Sequence, residues 1–257
     1  MTGEQLLVYG GTEDGRRLAE GLALGGWDVT LCVATEYGRE QVSGLAGLQV
    51  RTGRQTREEM RRLMGSAPFR AVIDGTHPYA AEVTANVKAA AEGENLAYYR
   101  LVRPEAEQNP DWTEVPDMAA AADWLAEHPG TVLLTTGSKD LGQFARLPDF
   151  KDRIYARILP NLDSLSHALE LGYPGRHLIC MQGPFTEELN AATLRQIGAS
   201  VLVTKDTGDV GGFAEKVRAA QAAGAHVLVV RRPVQEQGST LNDLFTLFLK
   251  EKGAKER

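Results

Sequence analysis

Short apolar segments alternate along most of the chain with segments whose apolar residues recur at helical spacing. The short segments predict strands, and the spaced ones predict amphipathic helices. In the first half the predicted strands are 6–9, 28–33, 48–51, 71–74 and 98–102, with helices at 13–24, 58–64 and 80–91. This alternation predicts right-handed βαβ units and a parallel sheet covered on both faces.

A polar segment with two prolines, 103–111, interrupts the pattern and is typical of a linker. A second alternating block follows it. Its predicted strands are 112–115, 132–135, 154–158, 178–181, 201–203 and 227–230, with helices such as 118–126 and 186–197. The tail 241–249 has apolar residues at helical spacing, and we expect it to cap the second block.

We therefore predict an α/β protein with two parallel-sheet lobes and a cleft between them. Residues 1–103 are expected to form the N-terminal lobe. Residues 104–257 are expected to form the C-terminal lobe. A terminal strand of one lobe could also join the sheet of the other lobe, and the sequence pattern does not distinguish the two arrangements.

Composition narrows the class of function. The 257 residues carry a net charge of −6, which disfavours nucleic acid as a partner because phosphates require a basic face. The first residues lack a basic region followed by an apolar stretch, and no apolar run reaches the ~18 residues of a membrane span. Cys32 and Cys180 lie in apolar strand-like segments, so we expect two buried thiols of a reducing compartment. We expect a cytoplasmic enzyme or binding protein.

The residues suited to binding or catalysis lie in the turns that directly follow the predicted strands. The turn from Gly10 to Gly15 opens a helix, and its glycines let the backbone approach a phosphate at the helix N-terminus. Thr12 replaces the middle glycine of the usual dinucleotide spacing, so a plain turn capped by Thr12 stays an alternative. Glu36, just past the second strand, is placed for ribose hydroxyls, and Arg39 for a phosphate. Two solvated loop charges are the alternative there.

The next such turn contains Gly75, Thr76, His77 and Pro78. A histidine directly after a strand has its ring at the carboxyl edge of the sheet, where open α/β proteins bind ligands. His77 is therefore a candidate for orienting a ligand or donating a proton. Capping of its own turn is the alternative role.

Cations mark several strand ends of the second half. Gly137, Ser138 and Lys139 form one turn, and Thr204 and Lys205 belong to another. Arg157, Arg231 and Arg232 add positive charge near other strand ends. The position of these lysines and arginines at strand ends favours an anionic ligand. The alternative is that they are solvated surface charges, which is the commoner role of any single lysine or arginine. The sequence has no G-x-S-x-G nucleophile motif and no metal-ligand spacing, which disfavours nucleophilic and metal chemistry.

Taken together, these turns resemble the precorrin-6A reductase family of cobalamin biosynthesis. The resemblance runs in order from about residue 6 to residue 233. It is carried by G-G-T-E-D-G-R (10–16), I-D-G-T-H-P-Y-A (73–80), L-T-T-G-S-K (134–139), Q-G-P-F (182–185) and L-V-T-K-D-T-G (202–208). Gly75 departs from the family, which more often has alanine there. The loop 34–38 looks like the anaerobic branch, whose macrocycle contains cobalt.

The resemblance implies a nicotinamide-dependent reductase with two Rossmann-like parallel-sheet lobes. Residues 1–103 would then form the nucleotide-binding lobe, and residues 104–257 the lobe on the substrate side. Hydride would pass to a ring-contracted tetrapyrrole with many carboxylates. His77 is then the catalytic candidate. The cofactor-binding candidates are Gly10, Gly11, Thr12, Gly15, Glu36, Arg39, Gly75, Thr76 and Pro78. The substrate-binding candidates are Gly137, Ser138, Lys139, Arg157, Gln182, Gly183, Thr204 and Lys205. Because a carboxylate at Glu36 repels a 2′-phosphate, NADH is favoured over NADPH.

Two other classes of function stay open. One is a two-lobed tetrapyrrole enzyme that needs no nicotinamide, similar to uroporphyrinogen-III synthase. The other is a non-catalytic nucleotide-sensing module on a Rossmann scaffold. An enzyme similar to uroporphyrinogen-III synthase should not bind NADH or NADPH, whereas a reductase should. A nucleotide-sensing module should bind the cofactor but should not oxidise it when a tetrapyrrole is added.

Overall fold

The computed structural model describes residues 5–42, 44–102, 112–206, 212–232 and 237–255. The predicted linker 103–111 lies outside these residues, as do Thr207 and Gly208, the last two residues of the segment 202–208. The chain divides into two compact units. One consists of Met1–Pro104 together with Val234–Arg257, and the other of Glu105–Pro233.

The first unit contains a five-stranded parallel sheet, as predicted. Its strands are β1 (Gln5–Tyr9), β2 (Asp28–Val33), β3 (Leu48–Thr52), β4 (Phe69–Asp74) and β5 (Ala97–Arg100). Their order is β3-β2-β1-β4-β5, so the direction of winding reverses between β1 and β4. In doubly wound sheets the crevice for a ligand opens at such a reversal, outside the carboxyl ends of the strands.

Four helices connect these strands: α1 (Glu13–Leu24), α2 (Glu36–Glu40), α3 (Arg57–Met64) and α4 (Ala81–Gly93). The first three begin at a threonine whose side chain accepts a backbone N–H of the first turn. Leu6 and Val8 face one apolar core of the unit, and Leu7 and Tyr9 face the other. Burial of both faces explains why β1 is an uninterrupted apolar run.

The second unit contains a six-stranded parallel sheet, again as predicted. Its strands are β6 (Trp112–Val115), β7 (Val132–Leu134), β8 (Ile154–Ile158), β9 (Leu178–Cys180), β10 (Val201–Lys205) and β11 (His226–Val230). The order β6-β11-β10-β7-β8-β9 places the reversal between β10 and β7. The two-lobed α/β fold class is thus confirmed.

Six α-helices cover this second sheet: α5 (Met118–Glu127), α6 (Leu141–Phe144), α7 (Phe150–Arg153), α8 (Leu162–Glu170), α9 (Glu187–Ile197) and α10 (Phe213–Ala223). A 3-10 helix at Gly175–His177 precedes β9. Ile154, Ala156 and Ile158 of β8 face the core on the side of α5. Residues of α9 and α10 pack against the opposite face of the sheet.

The C-terminal helix α11 (Leu241–Lys255) belongs to the first unit, not the second. Leu244 and Phe248 are fully buried in the core that contains Leu6 and Val8. The indole Nε1 of Trp27 donates a hydrogen bond to the carbonyl of Phe248 at 3.1 Å. The prediction that this tail caps the second block is therefore wrong, and so is the assignment of its residues to a lobe spanning 104–257.

Two smaller predictions also differ from the structure. Cys32 is buried, but Cys180 is exposed because it ends β9, the edge strand of its sheet. The fifth strand ends at Arg100, two residues earlier than predicted, and Leu101 instead forms an isolated parallel bridge with Ser239. No helix among the described residues is long and apolar enough to cross a membrane.

Candidate functional site

The turns that follow β1 and β4 pack directly against each other. The hydroxyl of Thr12 donates to the carbonyl of Gly75 at 2.9 Å and accepts the N–H of Gly15 at 3.1 Å. A Cβ added at Gly15 would lie 3.0 Å from the Gly75 carbonyl oxygen, and one at Gly75 would lie 2.9 Å from the Gly15 Cα. Both glycines are thus needed for this close approach, and Thr12 serves as the bridge as well as the helix cap.

Gly11 is the part of this turn that is open to a ligand. Gly11 has φ +141°, a conformation that side chains rarely adopt, and an added Cβ there would meet nothing within 4 Å. Gly10 has the opposite surroundings, because an added Cβ would lie 2.8 Å from Leu31 Cδ1. The backbone at Gly11 therefore borders open space at the N-terminus of α1, as phosphate binding by a βα turn requires.

A buried polar network lies beneath the second turn. The Nη1 atom of Arg100 is 2.9 Å from Asp74 Oδ1, 3.0 Å from the Asp74 carbonyl and 2.9 Å from the Thr76 carbonyl. Tyr98 donates to Asp74 Oδ2 at 2.9 Å, and the Thr76 hydroxyl donates to Asp74 Oδ1 at 2.6 Å. Asp74 is fully buried and Arg100 nearly so. The network fixes the backbone of the turn that carries His77.

Thr76 is occupied within this network. Its N–H donates to Asp74 Oδ1 at 3.0 Å, its carbonyl accepts from Arg100, and its hydroxyl lies 3.0 Å from the Thr84 hydroxyl. Thr76 thus stabilises the turn, and its role as a cofactor ligand stays a prediction. Pro78 is buried beside it.

His77 lies partly exposed at the tip of the turn. Its Nδ1 accepts the backbone N–H of Tyr79 at 3.3 Å, so the neutral imidazole carries its proton on Nε2. The tyrosine ring leans against it, with 5.6 Å between the ring centroids. This arrangement makes Nε2 the donor atom of His77.

Glu36 and Arg39 both lie on the short helix α2, which starts three residues beyond β2. Their side chains are well exposed and 3.8 Å apart, a distance typical of a loose surface pair. The Thr35 hydroxyl caps the helix by accepting the Gly38 N–H at 3.2 Å. The structure therefore places both charges at the carboxyl edge of β2, where the sequence predicted them, and both can reorient.

In the second unit, the turns that follow β7 and β10 lie side by side. Lys205 Nζ is 3.0 Å from Asp140 Oδ2, so the positive charge expected at Lys205 is partly balanced by a carboxylate. Lys139 is exposed, and Gly137 has φ +85° with open space around an added Cβ. Thr204 is fully buried, with its hydroxyl 3.3 Å from the Lys205 carbonyl.

The turn after β7 also contacts the start of α8. The Ser138 hydroxyl donates to that of Ser164 at 3.1 Å. Thr136, between Thr135 and Gly137, has a buried hydroxyl with no hydrogen-bond partner among the described residues. Such a hydroxyl costs about 1–3 kcal/mol unless a water or a ligand satisfies it.

Arg157 is buried on the face of β8 that α9 and α10 cover. Its Nη1 donates to Asn190 Oδ1 at 2.7 Å, and its guanidinium lies 4.0 Å from the centre of the Phe185 ring. Burial lowers the pKa of Arg157 to about 10. Burial, together with the charge of Arg157, lowers the pKa of nearby Lys216 to about 8. Among the described residues no carboxylate pairs with Arg157.

Gln182 and Gly183 precede Phe185 in the loop that leaves β9. Gln182 is exposed, and an added Cβ at Gly183 would lie 2.9 Å from the Phe185 ring. The loop therefore brings these two predicted residues to the ring on which Arg157 lies. Of the further cations, Arg231 pairs with Glu114 at 2.8 Å and Arg232 with Asp206 at 3.1 Å.

Within each unit the structure thus gathers most predicted residues at the carboxyl edge of one sheet. Sequence reasoning missed Asp74, Tyr98 and Arg100 beneath the His77 turn, and Phe185 and Asn190 around Arg157. A charged residue as the last residue of an apolar strand was an available signal for Asp74 and Arg100. In the described part of the chain no group of three or more His, Cys, Asp or Glu side chains is arranged to hold a metal ion.

Comparison with known proteins places the chain in a family. The family model described as Precorrin-6x reductase CbiJ/CobK matches residues 5–248. The Cobalt-precorrin-6A reductase of Priestia megaterium is 36% identical over 237 residues, covering 91% of this chain and 92% of that protein. The Cobalt-precorrin-6A reductase of Salmonella typhimurium strain LT2 is 35% identical, covering 91% and 89%.

A relative with a slightly different name and a solved structure point to the same family. The Precorrin-6A reductase of Rhodobacter capsulatus is 31% identical over 238 residues, covering 89% of this chain and 88% of that protein. The structure of CobK precorrin-6A reductase matches with a TM-score of 0.77 and 28% identity over 97% of both chains. With the family model spanning nearly the whole chain, this protein belongs to the precorrin-6x reductase CbiJ/CobK family.

Proposed function

We propose that this protein is the reductase of cobalt-precorrin-6A, or of precorrin-6A, in cobalamin biosynthesis. The observation that carries the proposal is the identity of 36% and 35% to two proteins named for the cobalt-containing substrate, over about nine-tenths of each chain. The glycine turn after β1 and the histidine turn after β4 support it, because they meet where a doubly wound sheet binds its ligand.

A nicotinamide cofactor fits the first unit. The open space beside Gly11 suits a pyrophosphate, with Gly10, Thr12 and Gly15 shaping the turn around it. We infer that Glu36 and Arg39 meet the adenosine ribose, and that Gly75, Thr76 and Pro78 border the nicotinamide. The bound cofactor would supply the hydride that the macrocycle accepts.

His77 is the residue we assign to proton delivery. In the neutral ring Nδ1 accepts the Tyr79 N–H, so Nε2–H donates a hydrogen bond to a ring nitrogen or a carboxylate of the substrate. Delivery of a proton would require the imidazolium form, in which Nδ1 no longer accepts the Tyr79 N–H. The Asp74–Arg100 network stabilises the turn from below, and therefore fixes the position of His77. Positioning of this kind can contribute several kcal/mol to a rate, of the order of 7–11 in the best-aligned cases.

The substrate-binding residues we propose lie in the second unit. Lys139 is an exposed cation at the turn after β7, and Arg157 is a buried one in β8. Gly137 and Ser138 accompany Lys139, Gln182 and Gly183 accompany Arg157, and Thr204 and Lys205 end β10. Their charges suit the peripheral carboxylates of a tetrapyrrole.

We propose NADH as the preferred cofactor, since the Glu36 carboxylate accepts hydrogen bonds from a ribose diol and repels a 2′-phosphate. Arg39 at 3.8 Å from Glu36 moderates that repulsion, so the preference should be moderate. We further propose a cytoplasmic location, where Cys32 and Cys180 remain free thiols.

The purified protein should oxidise NADH when cobalt-precorrin-6A is added under anaerobic conditions. With 4-deuterated NADH the corrinoid product should gain one deuterium by mass spectrometry. Cofactor binding without oxidation would favour the nucleotide-sensing alternative. Conversion of a tetrapyrrole without any response to NADH or NADPH would favour the enzyme class that needs no nicotinamide.

A further inference from the structure

The carboxyl ends of β8 and β9 carry apolar side chains that face solvent. Leu159 is 49% exposed, Leu162 is 80% exposed and Met181 is 40% exposed. The backbones of the two strand ends are adjacent, because the Met181 N–H donates to the carbonyl of Ile158 at 3.0 Å. Leu162 follows the turn in which the Asn161 N–H donates to the carbonyl of Leu159 at 2.9 Å. We call Leu159, Leu162 and Met181 the apolar platform.

The exposure of Leu159 is unusual for a leucine that directly follows a buried strand. Ile158, the residue before Leu159, is buried in the core. Leu162 occupies the first position of α8, where a polar residue would serve the helix equally well, because Asn161 already provides the cap. Clustered exposed apolar residues of this kind mark ligand or partner surfaces.

The same strand ends carry the buried cation. Arg157 lies two residues before Leu159 on β8, and Phe185 beneath its guanidinium lies four residues after Met181. Asn190 holds the guanidinium through a neutral oxygen, so the charge of Arg157 has no carboxylate to balance it within the described residues. Buried charges are normally paired, so this one indicates an anionic ligand.

We propose that the apolar platform and Arg157 form one subsite for the tetrapyrrole, deepening the proposed function on which it rests. The platform would pack against the flat face of the macrocycle. Arg157 would pair with one peripheral carboxylate. An extended conjugated ring with an acidic rim requires this combination of an apolar surface and a cation at its border. A purely ionic or purely apolar ligand would leave one of the two features without a partner.

The kinetic test uses Leu162→Ser and Met181→Ser in the full-length protein. Leu169→Ser is the matched control, because Leu169 is 49% exposed on the same helix α8 but at its other end. The two platform variants should raise the KM for cobalt-precorrin-6A about tenfold. The KM for NADH and the melting temperature should stay unchanged, and the control should match the wild type.

A second measurement does not depend on turnover. Cys180 is exposed next to Met181, whereas Cys32 is buried and its thiol pKa is raised to about 11 by burial. Iodoacetamide should therefore label Cys180, and uroporphyrin, a stable planar polycarboxylate tetrapyrrole, should slow this labelling. Arg157→Gln should abolish the protection. Should Arg157→Gln not fold, the two platform variants provide the same comparison.

The outcomes separate the subsite from the proposed function. Protection of Cys180 that the platform variants weaken supports the subsite even if the wild type oxidises no cofactor. Normal turnover with an unchanged KM in both platform variants overturns the subsite and leaves the reductase proposal intact. If the variants instead convert a dimer to a monomer without changing the KM, the platform is a contact between copies of the chain, and the proposal is also overturned.

Discussion

Removal of the Arg100 guanidinium provides a sharp test of how the His77 turn is held. Arg100→Leu leaves the fully buried carboxylate of Asp74 without its cation, and leaves the carbonyls of Asp74 and Thr76 without their donor. Breaking a buried pair in this way costs about 3–5 kcal/mol. That is a large share of the ~5–15 kcal/mol by which a typical domain is stable.

The matched control is Arg61→Leu in the same unit. Arg61 forms a similar ion pair with Glu94 at 3.0 Å, but its side chain is 45% exposed. Surface pairs contribute about 0–1 kcal/mol. The two substitutions thus remove the same chemical group from pairs of similar length and differ in burial.

The measurement is urea unfolding monitored by hydrogen exchange. Mass spectrometry reads the exchange in peptides that cover β1 and β4. This local readout is needed because two compact units can unfold separately, and a single global transition would then mix them. We expect Arg100→Leu to lower the free energy of unfolding of the segments in these peptides by several kcal/mol. Arg61→Leu should lower it by less than about 1 kcal/mol. Equal effects of the two variants would refute the assignment of the turn's stability to the buried network.

Four further predictions address the site and its surroundings. His77→Ala should keep the fold and lower turnover at least about tenfold, whereas unchanged steady-state kinetics would remove His77 from the site. Glu36→Ser should shift the kcat/KM ratio toward NADPH, and an unchanged ratio would separate Glu36 from the ribose. Substrate affinity should fall as salt rises, because exposed Lys139 is screened; salt-independent binding would contradict this. Burial lowers the pKa of His177 below 6.5, so the folded state binds fewer protons than the unfolded state, and stability should fall as pH drops below about 6.5. His177→Gln should flatten that fall in a series of thermal melts, and an unaltered slope would assign it to other groups.

The two parallel sheets were predictable because their central strands, such as β1, β7 and β10, are buried on both faces and therefore form continuous apolar runs. The turn residues were predictable for the related reason that glycine, threonine and histidine interrupt those runs at the carboxyl ends. The close packing of Gly15 against Gly75 was not, since it joins residues 60 apart through backbone contact alone. Periodicity along one element carries no information about such contacts.

Two errors have a common origin in what periodicity leaves out. The apolar stripe of α11 shows that one face is buried, but does not say against which sheet, so Phe248 was assigned to the wrong unit. Cys180 was expected to be buried because the strand is apolar, but an edge strand leaves its last residue exposed.

The position of α11 has a consequence for how the chain acquires its structure during synthesis. Trp27 reaches its buried partner Phe248 across 221 residues of sequence. The core of the first unit therefore stays incomplete until the ribosome has synthesised α11, while the residues of the second unit emerge in between as one uninterrupted stretch. The second unit can finish folding first, and its completion shortens the effective distance that the C-terminal helix must search to find Trp27. A nonsense mutation that removes only α11 would expose the N-terminal half to proteolysis and spare the middle of the chain.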